Sequence, residues 1–169
     1  ARARRAAERA VTADPYDLEV VTIASELSMA DGDHEATAAM LGRALQAREV
    51  VEQQSSELTA PRLSLLWNRL GDARLARGDR KGAIAAYQQS TQLAPESDGA
   101  MRSRRELLSL LRDDPERRDE VIELHRILAG DSLDLADVAA YAQALCRAGR
   151  GDGGRALLEL AAAMGLALS

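Results

Sequence analysis

Three glycines, Gly32, Gly78 and Gly149, lie 46 and 71 residues apart in a chain of 169, each closing a stretch with helical spacing. A chain built this way repeats one unit, and a unit with one face unsatisfied must stack on its neighbours. The clearest unit runs from Leu63 to Pro95. Trp67, Leu70, Gly71 and Arg74 fall at i, i+3, i+4 and i+7, one face of a first helix. Gly71 has no Cβ and lets a second helix approach closely. Gly78 and Asp79 end the first helix and cap the second. Ala83, Tyr87, Ser90 and Thr91 carry helical spacing through that second helix, and Pro95 closes the unit because proline cannot continue it.

Read as W-x2-L-G, a glycine seven residues after Gly71, A-x3-Y and a proline eight residues on, the unit resembles the tetratricopeptide repeat. Its one departure is Arg74, where the family has an aromatic residue. The resemblance implies an all-α, right-handed α-solenoid of stacked antiparallel helix hairpins, about nine helices in all. With Tyr87 as marker, Leu158 lies 34 residues after Leu124 and Leu41 lies 34 after Ala7, the family period. Leu124 lies 37 after Tyr87, and Tyr87 lies 46 after Leu41, so one junction carries three extra residues and another twelve. The turn glycines give the same intervals.

These spacings predict a single solenoid over 1–169: a half-repeat at 2–15, then repeats at 18–58, 63–97, 98–132 and 134–168. The first helix of repeat one is read as Val20, Ile23, Ala24 and Leu27, one residue out of phase with the others. The twelve extra residues follow Leu45 in a segment rich in Ala, Leu, Glu, Gln and Arg, which predicts a second helix extended by about three turns to near 55–57. Repeat three is degenerate, with Arg104 at the Trp67 position. Repeat four reads Val138, Tyr141, Ala142, Leu145 and Gly149, then Gly154, Leu158 and Ala161. Beginning on a second helix without Met, the chain reads as a segment of a longer array.

Composition narrows the function. One Trp, three Tyr and no Phe leave no stacking platform for single-stranded nucleic acid, and a net charge of −5 disfavours a phosphate-binding surface. The lone Cys146 excludes an internal disulfide framework and a CxxC zinc site. No run of 18 apolar residues is present, so membrane insertion is not expected. Arginine supplies 21 of the 22 basic residues, a coding bias of GC-rich, bacterial genomes. Without an apolar h-region, the expected location is cytoplasmic.

The sequence offers little chemistry. Asp31-Gly32-Asp33-His34-Glu35 has oxygen donors but not the spacing of a calcium loop, and its phase is that of an inter-helix turn. Asp113-Asp114-Pro115-Glu116 reads as a helix start, His125 as a rim residue, and Cys146 as a small half-buried residue at a helix end. No nucleophile elbow, zincin motif, P-loop or dinucleotide fingerprint occurs. The expectation is therefore no enzyme, no cofactor and no metal. In the family resembled, first helices line a concave groove that holds peptides. That implies a partner-binding set of Asn68 and Asp72, Arg102, Arg105, Ser109 and Arg112, and Gln143 and Arg147. Arginines on one face suit a protein or peptide partner with acidic groups. Self-assembly into a homo-oligomer through exposed solenoid ends, or a sensor arm of a larger multidomain protein, are the alternatives.

Overall fold

The computed structural model describes residues 2–14, 17–51, 60–132 and 134–163, and among them it contains helices and turns without strands. Nine α-helices follow in order: α1 Arg2–Ala13, α2 Leu18–Ala30, α3 His34–Val51, α4 Ala60–Ala76, α5 Arg80–Leu93, α6 Asp98–Leu111, α7 Arg118–Ser132, α8 Leu135–Arg147 and α9 Gly151–Ala163. A 3-10 turn, Pro115–Arg117, precedes α7. None of the described helices is long and apolar enough to cross a membrane. The chain divides into two compact units, residues 1–103 and 104–169.

Three turns are built alike. Gly32, Gly78 and Gly149 sit at φ of 72°, 79° and 78°, the left-handed region that costs a side chain energy and costs glycine none. The N–H of the next residue reaches back five positions in each: Asp33 to Ser28 O at 3.0 Å, Asp79 to Arg74 O at 2.9 Å, and Arg150 to Leu145 O at 2.9 Å. This satisfies carbonyls that the ending helix leaves open. Asp33 and Asp79 then cap the following helices, accepting from Ala36 N at 3.0 Å and Gly82 N at 2.9 Å. The oxygens of the Asp31–Glu35 cluster thus serve a turn, and Glu35 also pairs with Arg77.

In the first unit, α1 packs on α2, α2 on α3, α3 on α4 and α4 on α5. Its core is aliphatic, including Val21, Leu41, Leu63, Leu66 and Leu70, with Trp67 packed against it. Small residues let the helices close in. A Cβ on Gly71 would lie 2.8 Å from Tyr87 Cζ and nearer still to Cδ1 and Cε1. Buried hydroxyls do the same work with hydrogen bonds: Ser64 Oγ donates to Ser90 O at 2.9 Å, and Ser90 Oγ to Ser64 O at 2.8 Å. This reciprocal pair joins α4 to α5 without leaving a buried donor unsatisfied.

One register differs from expectation. On α2 the buried residues are Val21, Ala24, Ser25 and Ser28, while Ile23 is 47% exposed. Those four positions lie 46 residues before Trp67, Leu70, Gly71 and Arg74, so α2 is in phase with α4 after all. The close-approach positions hold serines, which no hydrophobic pattern marks.

The long helix α3 has 18 described residues, the most of any helix here, and its predicted end near 55–57 lies outside the described residues. In the second unit α7 packs on α8 and α8 on α9, around Val121, Leu124, Leu128, Ala142 and Leu145. The α6–α7 turn has no glycine; Asp114 Oδ1 accepts from Glu116 N at 3.0 Å and Pro115 starts the 3-10 turn. Arg104, at the Trp67 position, is buried.

Candidate functional site

In the first unit the groove set comprises Asn68, Asp72 and Arg102. Asn68 is 3% exposed, and its Nδ2 donates to Ser103 Oγ at 3.0 Å. It therefore holds α4 against the start of α6 and does not face solvent. Arg102 is exposed. Asp72 is half-buried, and Tyr87 Oη donates to its Oδ1 at 2.7 Å. Burial raises the Asp72 carboxyl above the ordinary carboxylate range, outweighing the Tyr87 hydrogen bond and the attraction of Arg102 and Arg69. Arg69 is itself engaged with α2, donating to Ser25 Oγ at 3.1 Å and pairing with Glu26 at 2.5 Å.

A raised folded-state pKa means that folding favours the protonated acid. Its stabilising effect is fully present below the unfolded pKa and is lost as pH rises through the folded one. Asp72→Asn keeps an acceptor for Tyr87 and removes the charge. It is expected to raise the melting temperature at neutral pH and to flatten the fall in stability above about pH 4. A thermal melt series across pH checks this; a lower melting temperature at pH 7 would mean that ionised Asp72 stabilises the unit.

In the second unit, Arg105, Ser109, Arg112, Gln143 and Arg147 are all exposed. The structure brings two of them together. Arg112, just past α6, and Arg147, at the end of α8, line one cavity of about 230 Å³. Val121, Ile122, Ala144 and Ala148 give it an aliphatic floor, and Arg118 and His125 of α7 complete the wall. Arg118 and His125 were not in the expected set. They had a signal: residues 118, 121, 122 and 125 form a single i, i+3, i+4, i+7 face of α7. Burial lowers the His125 pKa, Asp137 raises it and Arg147 lowers it further, so the ring is neutral at pH 7. Cys146 is exposed, where a half-buried side chain was expected.

No protein-family model and no curated protein sequence matches the chain. Among solved structures, a crystal structure of MamA superposes with a TM-score of 0.64 at 18% identity, covering 94% of this chain and 84% of that one. A second, of the MamA protein, gives 0.63 at 19% identity and covers 99% and 87%. At such identity the likeness is one of fold. The fold class is all-α, a tetratricopeptide-like helical-repeat solenoid, as the spacing of the turn glycines implies.

Proposed function

We propose that the chain is a non-catalytic protein–protein interaction scaffold that binds a partner peptide or protein on its concave face. The observation that carries this reading is the run of exposed arginines on or just beyond the first helices: Arg102 in one unit, and Arg105, Arg112 and Arg147 in the other. Guanidinium groups present planar forks that match carboxylates, and the surrounding acids do not occupy them all. Arg112 has only an exposed neighbour, Asp113, at 3.5 Å, a pair worth little in water. Asn68 is left out of the contact set because its amide is engaged internally.

The test is affinity capture from lysate of the source organism. The chain carrying Arg102→Glu, Arg105→Glu and Arg112→Glu is expected to lose the captured partner while keeping its helicity. Unchanged recovery would refute the reading. Self-assembly is the second reading, favoured by Leu160, an apolar side chain 55% exposed on α9. Sedimentation of the same samples over a range of concentrations separates the two, because a monomer throughout excludes assembly by this chain.

A further inference from the structure

The cavity in the second unit carries a more specific reading, which rests on the scaffold function and names the chemistry of its partner. We propose that it receives a single glutamate side chain of an acidic peptide segment, gripped by Arg112, Arg118 and Arg147 over the aliphatic floor of Val121 and Ile122.

Size and charge both point to that occupant. Small-molecule sites commonly enclose about 300–1,000 Å³, so a cavity of about 230 Å³ suits a side chain entering from outside. Its three guanidiniums stand against two acids, Asp113 and Asp114, with His125 neutral. The net charge of the lining is thus close to one positive, which matches a carboxylate better than a phosphoryl group of about −1.5 to −2.

Three nearby carboxylates are committed elsewhere. Asp119 accepts from Arg150 at 2.8 Å, Glu120 from Arg117 at 2.6 Å, and Glu123 from Arg126 at 2.6 Å. Asp114 caps the 3-10 turn. Among the described residues no ion pair reaches Arg118 or Arg147, so two forks stand open beside a third that is weakly paired. Val121 and Ile122 are nearly fully buried and offer their side chains to the methylenes of a glutamate stem.

His125 gives the site a pH signature. Asp137 and Arg147 act on it from α8, and Arg112, Arg118, Asp113 and Asp114 share its cavity. An added carboxylate favours the imidazolium, so seating the glutamate takes up a proton. Affinity is expected to rise as pH falls through the histidine range.

The test titrates the full chain with four probes: a blocked pentapeptide containing one glutamate, its glutamine counterpart, a phosphoserine counterpart and free glutarate. Calorimetry reads affinity, and NMR reads the His125 ring. The glutamate peptide is expected to bind and shift the ring signals, with the other three weaker by about tenfold or more. Arg118→Gln with Arg147→Gln is expected to weaken the glutamate peptide by about tenfold at unchanged helicity, while Lys81→Gln, at an exposed position of α5 outside the proposed contact set, changes nothing. His125→Asn is expected to remove the pH dependence. Equal binding by the glutamine peptide or glutarate, tighter binding by the phosphopeptide, or indifference to the double arginine variant would overturn the proposal. Failure of lysate capture while the glutamate peptide still seats would sink the scaffold reading alone. Capture intact with the peptide unbound would sink this one alone.

Discussion

Replacing Tyr87 with alanine is expected to lower the free energy of unfolding by about 3–5 kcal/mol, the range for deleting a fully buried aromatic ring. Tyr87 is completely buried, and its ring lies against Gly71 where any Cβ would collide with it. No other aromatic side chain is fully buried among the described residues, and the small neighbours that admit the ring cannot expand to fill its place. Urea unfolding followed by circular dichroism measures the loss. Tyr87→Phe separates the ring from its hydroxyl: it forfeits the hydrogen bond to Asp72, a change of about 1 kcal/mol. If alanine cost no more than phenylalanine, the ring would not be the wedge between α4 and α5.

Gly99→Ala is expected to destabilise by about 1–3 kcal/mol, although helix propensity alone predicts a gain of about 1 kcal/mol. Gly99 stands in the first turn of α6, and a Cβ there would lie 2.7 Å from Leu65 N and 2.9 Å from Ser64 C. Those are backbone atoms of α4, which cannot rotate aside as the end of a side chain can. Gly42→Ala is the matched control in the same unit. Gly42 lies inside α3 with nothing within 4 Å of its Cβ position, so there the propensity gain of about 0.5–1 kcal/mol should survive. Opposite signs for the two substitutions in one denaturation assay are the expected result. Equal signs would mean that α6 can move off α4 without loss.

Residues that act through the local backbone were legible in the order of amino acids. Gly32, Gly78 and Gly149 could be placed because a left-handed turn between helices is local and favours one residue type. Asp33 and Asp79 could be placed as caps for the same reason. The phase of α2 was misread because Ser25 and Ser28 are buried for their size, while Ile23, the more apolar residue, faces solvent. The burial of Asn68 could not be read, because its partner, Ser103, lies 35 residues away. Gly99 carried no signal at all, since only the backbone of α4 explains it.

The candidate site divides along the same line. Arg112 and Arg147 were singled out as exposed first-helix residues, but sequence spacing does not reveal that they line one cavity. Arg118 and His125 enter it because α7 packs on α8, and burial there lowers the His125 pKa. The repeat of helices and turns is written in the chain, because each turn depends on contacts a few residues long. Which small residues disappear between helices, and which charges converge on one cavity, depends on side chains far apart in sequence whose distances only packing sets.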